Sequence, residues 1–167
     1  LFLQCVKMRP FDGRGWLGLA RMDMREGNIQ EARKIYRIGL HYCKRNAHLL
    51  QAWGVLEERN GNCVQARKLY NEALEAAPRH AASWVALGLY EQRRNYDVDR
   101  ARECCRTGTE AAPGSYYLWH VWGELEASQG NLQAARQYFQ RGLQVNPNNA
   151  ATYHSLGLLE YELGNER

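Results

Sequence analysis

The sequence predicts an all-α protein, a right-handed solenoid of helix-turn-helix units with a period of about 34 residues. Three recurrences carry that reading. Ala-Arg pairs stand at Ala32-Arg33, Ala66-Arg67, Ala101-Arg102 and Ala135-Arg136, steps of 34, 35 and 34. Gly-Asn stands at Gly27-Asn28, Gly61-Asn62, Gly130-Asn131 and Gly164-Asn165, and in the third copy Arg93-Arg94-Asn95-Tyr96-Asp97 replaces it, absorbing one extra residue. Pro78, Pro113 and Pro147 close successive copies, and Pro10 closes one before them.

The elements follow in order. Residues 1–10 read as the back half of a second helix, with Phe2, Cys5 and Pro10 at the positions of Tyr70, Ala73 and Pro78. Four full copies are expected over 13–46, 47–80, 81–115 and 116–149, and 150–167 holds the first helix of a further copy. First helices are expected near 14–26, 48–60, 82–94, 116–129 and 150–163, second helices near 29–44, 63–76, 98–111 and 132–145. Each first helix carries an i, i+3, i+4 stripe: Trp16/Leu19/Ala20, Leu50/Trp53/Gly54, Trp84/Leu87/Gly88, Trp119/Trp122/Gly123 and Tyr153/Leu156/Gly157. That rhythm marks one buried face. The small residue is expected to let two helix backbones approach, and the tryptophans are expected to be core and not ligand contacts. Second helices repeat a small-aromatic-small face, Ala32/Tyr36/Gly39, Ala66/Tyr70/Ala73, Ala101/Cys105/Gly108 and Ala135/Phe139/Gly142. Solenoids usually end in polar caps. Neither end here has one, so the chain reads as part of a longer array whose open ends could associate end to end.

Composition narrows the function. No apolar run approaches the length of a membrane span. The five cysteines are scattered, with no C-x-x-C, which suggests a reducing compartment and not a disulfide framework. No metalloprotease, phosphate-loop or nucleophile-elbow motif occurs, and the five histidines are too dispersed for a metal site. Neither catalysis nor a cofactor is expected. Of the 22 basic residues four are lysines (Lys7, Lys34, Lys44, Lys68), so arginine dominates a net charge of +4. Arginine suits phosphate contacts and stacking on bases, although a GC-rich genome would produce the same bias.

A tetratricopeptide repeat (TPR) is the usual form of a helix pair with this period. Ordinary TPRs place a tyrosine where this chain has Asp23, Glu57, Glu91, Glu126 and Glu160. With Ala-Arg at the start of each second helix and an aromatic soon after, the pattern resembles the half-a-TPR (HAT) variant. The aromatic fails only at Cys105, so the third copy is expected to pack differently. The resemblance covers essentially the whole chain and implies a role in RNA metabolism. Tracts such as AWGVLEERNGN and WHVWGELEASQGN are most similar to chloroplast HAT proteins that stabilise photosystem II messenger leaders. It therefore implies the chloroplast stroma, with the nucleus as the alternative, and a bound leader shielded from exonuclease and from self-folding.

Two sets of charges recur. Asp23 with Arg33, Glu57 with Arg67, Glu91 with Arg102 and Glu126 with Arg136 are expected to pair between adjacent helices of one copy, fixing register. Arg25, Arg59 and Arg93 are spaced by 34 and 34 near the ends of three first helices, forming an expected ladder in a groove. Arg14, Arg21, Gln51 and Arg94 are expected nearby, with His120 and His154 at positions equivalent to Gln51. Such a ladder suits the phosphates of single-stranded RNA, with amides and imidazoles on base edges. The alternative is a scaffold binding protein partners of an RNA-processing complex.

Overall fold

Asparagine or aspartate side chains cap the starts of four helices, and a residue in the left-handed region follows the first helix of each copy. In the computed structural model, which describes residues 2–94 and 96–164, Leu1, Asn95, residues 165–167 and the Phe2 side chain lie outside the described residues. Ten helices and no strand occur among the described residues: α1 (Phe2–Met8), α2 (Gly13–Glu26), α3 (Ile29–Tyr42), α4 (Ala47–Arg59), α5 (Cys63–Ala76), α6 (Ala81–Arg94), α7 (Val98–Ala111), α8 (Tyr116–Ser128), α9 (Leu132–Val145) and α10 (Ala150–Glu162). The side chains of Asp12, Asn46, Asp97 and Asn149 accept backbone N–H bonds at the starts of α2, α4, α7 and α10, satisfying donors that a helix leaves open. Gly27, Gly61 and Gly130 have φ of 77–79°, a conformation that costs glycine nothing. The N–H of the following Asn28, Asn62 and Asn131 then returns to the carbonyl of Asp23, Glu57 and Glu126 at 2.9 Å. In the third copy Tyr96 takes the positive φ, 53°, and the N–H of Asp97 reaches Glu91 O at 3.0 Å. The extra residue is absorbed there.

The chain divides into two compact units, Leu1–Ala86 and Leu87–Arg167. In the first, α2 packs on α3 and α4 on α5, and α4 also meets both α2 and α3. In the second, α8 packs on α9 and α7, and α10 meets α9 and α8. Short connections make each helix pair antiparallel. The second-helix aromatics are the centre of each pair: Tyr36 and Tyr70 are 0% exposed and Phe139 1%.

Those rings explain Gly54 and Gly123, and here the structure corrects the sequence reading. A Cβ on Gly54 would lie 2.5 Å from the Tyr70 ring, and one on Gly123 would lie 2.5 Å from the Phe139 ring. The glycine admits an aromatic ring, not a neighbouring backbone. At Gly88, where the ring is replaced by Cys105, the nearest atom is Cys104 Cβ at 3.5 Å. The third copy does pack differently.

The tryptophans need a second correction. Trp16 is buried, but Trp53, Trp84, Trp119 and Trp122 are only half-buried. Three of them tie copies together: the indole N–H of Trp16, Trp84 and Trp119 donates to the carbonyl of Pro10, Pro78 and Pro113 at 2.7, 2.8 and 3.3 Å. The proline closing one copy and the tryptophan opening the next therefore recur together.

The recurring ion pairs join copies instead of bracing one copy internally, contrary to the expected pairing. Arg33 of α3 reaches forward to Glu57 of α4, Nε to Oε1 at 2.8 Å and Nη2 to Oε2 at 2.7 Å. Arg102 of α7 reaches Glu126 of α8 at 2.8 and 3.0 Å, and Arg136 of α9 pairs with Glu160 of α10. Asp23 thus does not hold Arg33, nor Glu57 Arg67, Glu91 Arg102 or Glu126 Arg136. The reason is geometric: the acid sits one helix turn before the end of a first helix, beside the start of the preceding second helix. Glu57 and Glu126 are 3% and 5% exposed, and each is completed from its own copy. Asn62 Nδ2 donates to Glu57 at 2.6 Å and Trp53 Nε1 at 2.8 Å. Asn131 Nδ2 donates to Glu126 at 2.6 Å. Arg33, with help from Asn62 and Trp53, outweighs burial and holds the Glu57 carboxyl at about 2. Arg102 leads the same downward shift at Glu126.

Two measurements check this packing. By denaturant unfolding, Gly54→Ala and Gly123→Ala should each lose about 1–3 kcal/mol through overpacking. Gly88→Ala, with room for a methyl group, should gain up to about 1 kcal/mol from helix propensity; equal losses at all three would refute the ring-into-glycine account. Glu57→Gln should cost roughly 3 kcal/mol, because Arg33 is left without its carboxylate. Because Glu57 is depressed from 4.5 to about 2, its stabilisation is complete above pH 4.5 and is lost as pH falls toward 2. Unfolding curves of wild type and Glu57→Gln should therefore converge in acid, and a constant gap across that window would sink the assignment.

Candidate nucleic-acid interface

Side chains four apart share a helix face. Arg21 and Arg25 are so placed on α2, and Gln51, Val55 and Arg59 on α4. Because α4 packs beside α2, these stripes converge with the start of α3 on one cleft of about 630 Å³ in the first unit. Met24, Ile29, Tyr36, Ala52, Val55 and Leu56 supply its apolar lining, and Arg21, Arg25, Gln51, Arg59 and Asn60 its polar one. No carboxylate lines it. Arg25 and Arg59 are exposed at the last turns of α2 and α4.

Five arginines of this chain are seen neutralised by carboxylates. Arg14 is bound to Asp12 by Nε and Nη2 at the opposite end of α2, away from the cleft. Arg106 is held by Glu103 and Glu110, and Arg33, Arg102 and Arg136 carry the inter-copy bridges. By contrast, Arg21, Arg25 and Arg59 make no ion pair or side-chain hydrogen bond among the described residues. The Tyr36 hydroxyl donates to Met24 Sδ at 3.5 Å, and burial pushes it up to about 12 despite the opposing pull of Arg21. It stays uncharged at neutral pH, so nothing in the lining offsets the three guanidinium groups.

The remaining predicted residues separate. Arg93 and Arg94 are exposed at the end of α6 in the second unit, and the charge of Arg93 adds to the lowering of Glu124 that His120 dominates. His120 is not a base reader. It is 7% exposed, its Nδ1 bonded to Thr152 Oγ1 at 3.0 Å and its Nε2 3.3 Å from Glu124 Oε1, so it bridges α8 and α10. His154 is exposed on α10. Sequence reasoning missed Asn60 and the apolar lining from Met24, Ile29 and Tyr36. The one available signal was the spacing of Met24 and Arg25 beside the Ile29 that opens α3.

Comparison with known proteins places this geometry in a family. The family model described as the PRP39 N-terminal HAT repeat matches residues 2–156. Human (Homo sapiens) tetratricopeptide repeat protein 7A is 33% identical over 63 residues, a match spanning 38% of this chain and 7% of that protein. Among solved structures, that of pilF of Pseudomonas aeruginosa is similar with a TM-score of 0.74 and 20% identity, over 98% of this chain and 74% of that one. YrrB, described as a TPR protein with an unusual peptide-binding site, gives 0.61 and 16%, over 99% and 85%. MamA of Desulfovibrio magneticus RS-1 gives 0.66 and 15%, over 92% and 86%. These likenesses show the fold, an all-α helical-repeat solenoid. With almost all of its helices matched by that family model, this chain belongs to the PRP39 N-terminal HAT repeats, within the broader TPR-like class.

Proposed function

We propose that this chain binds single-stranded RNA, with the cleft between α2, α3 and α4 as one contact site. The observation that carries the reading is the set of three arginines, Arg21, Arg25 and Arg59, without carboxylate partners around one cleft that has no acidic lining. A polyanion is the ligand that such a site lacks. Like charges in a confined low-dielectric cleft concentrate their field, and guanidinium groups bind phosphate oxygens in a bidentate manner. Phosphate contacts of this kind give affinity and register. In this reading the Gln51 amide and Asn60 Oδ1 meet base edges, Asn60 Nδ2 being held by the Leu56 carbonyl at 2.8 Å, and the apolar lining around Tyr36 covers ribose or a base face. Sequestering a segment this way serves messenger stabilisation, processing or translation activation.

A second reading has its own support. The apolar floor under a cationic rim also suits an acidic amphipathic peptide, and the structurally similar YrrB is described with a peptide-binding site. In that case the chain is a protein-interaction scaffold of an RNA-processing complex.

Fluorescence anisotropy with a labelled single-stranded RNA across a salt series separates the two. Arg25→Ala and Arg59→Ala should each weaken binding and flatten the log–log salt dependence by about 0.7 for every phosphate that is no longer neutralised. Binding and slope unchanged in the double variant would end the RNA reading, and tight binding of an acidic peptide that RNA fails to displace would install the scaffold.

A further inference from the structure

Among the full copies, the fourth alone brings three aromatic side chains to one layer. Where the second copy has Leu50, Trp53 and Leu69, the fourth has Trp119, Trp122 and Tyr138. In the first unit the corresponding layer is closed: Leu50 and Leu69 cluster with Ala47 and Ala73, and Leu40 and Trp53 pack against them. The residue at the Leu40 position in the preceding second helix is Leu74 in the second copy but Thr109 in the third. The side chain that plugs the earlier junction is therefore trimmed at this one.

What results in the second unit is a cleft of about 350 Å³, lined by Arg106, Thr109, Glu110, Trp119, Trp122, Gln137, Tyr138 and Arg141. Its three rings are nearly parallel. Trp122 and Tyr138 stack with centroids 4.0 Å apart and planes 16° apart. Trp119 lies 5.9 Å from Trp122 at 10° and 6.2 Å from Tyr138 at 24°. Thr109 Oγ1 is tied to the carbonyls of Cys105 and Arg106 at 2.9 Å, and Glu110 is neutralised by Arg106 at 2.9 Å. Arg141 is exposed and has no ion pair among the described residues.

We propose that this cleft binds one nucleotide, its base lying along the Trp119–Trp122–Tyr138 wall and its phosphate meeting Arg141. A flat heteroaromatic ring is the shape that parallel rings accept as one more layer, and stacking on aromatic side chains is how proteins hold unpaired bases. The Gln137 amide offers donor and acceptor to the base edge. A proline-rich peptide would use the rings but would leave Arg141 without a counter-charge, so the nucleotide fits the lining better. The site shares its ligand class with the reading above but stands on a different cleft, so the two fail separately.

The test is quenching of tryptophan fluorescence by adenosine 5′-monophosphate in the whole chain. Thr109→Leu restores the plug that Leu40 and Leu74 supply, and it should weaken binding by about tenfold, the loss of one stacked base. Arg141→Ala, an exposed position, should weaken the monophosphate several-fold and leave adenosine unchanged. The double variant Arg25→Ala/Arg59→Ala should bind the monophosphate as wild type does. Circular dichroism melting confirms that each variant is folded. Undiminished binding in Thr109→Leu, equal losses for nucleotide and nucleoside in Arg141→Ala, no quenching in wild type, or displacement by a proline-rich peptide alone would each overturn the assignment. Loss of RNA binding in the double variant with nucleotide quenching intact would support both sites independently.

Discussion

Glu57 receives four donor atoms from three parts of the chain: two from Arg33 of the preceding copy, one from Trp53 a turn earlier, and one from Asn62 in the turn that follows. Glu126 collects the corresponding arginine and asparagine donors from Arg102 and Asn131. A buried carboxylate is tolerable only when its lone pairs are filled. Here the filling is possible in one register alone, because the turn must deliver its asparagine and the previous second helix its arginine. The glycine at positive φ, the asparagine after it, the first-helix acid and the second-helix arginine recur because they are parts of one interaction. It fixes how α4 sits on α3 and α8 on α7, and so places α4 beside α2 and forms the cleft between them.

The proposed RNA contact then rests on which arginines are left over. Those that begin second helices are consumed by the inter-copy bridges, and Arg14 and Arg106 by local carboxylates. Arg25 and Arg59, at the far ends of α2 and α4, meet no acid among the described residues, because the bridging acid faces the other way, toward the preceding second helix. Arg25 and Arg59 are therefore cationic by position, and Arg21 joins them by sharing a helix face. The same separation explains why His120 fails as a reader of bases. It occupies the place of Gln51 in the repeat, but Thr152 and Glu124 fill both ring nitrogens.

Much of this was legible in the sequence. The helices, the turns and the role of the aromatic at Tyr36, Tyr70 and Phe139 follow from a period that a reader can count, and so does the odd packing of the copy with Cys105. Pairing was not legible. An acid and an arginine that recur with one period can bond within a copy or across the junction, and periodicity does not distinguish the two. The step of 24 residues from Arg33 to Glu57 emerges only once the helices are stacked. Half-burial of the tryptophans was missed for a related reason: an i, i+3, i+4 stripe marks a covered face but does not say how fully the neighbouring copy covers it. Thr109 where Leu40 and Leu74 precede it was visible all along, yet its meaning depends on which layer it faces.

The bridge also redraws where such a chain can be divided. Cutting at Pro113 or Pro147, as the repeat frame invites, severs Arg102 from Glu126 or Arg136 from Glu160 and strands one ionised group on each piece. A segment that opens with a second helix and closes with the following first helix, such as α3–α4 or α9–α10, keeps donor and acceptor in the same polypeptide. The natural module for expression or shuffling is thus offset by half a period from the one that the sequence displays.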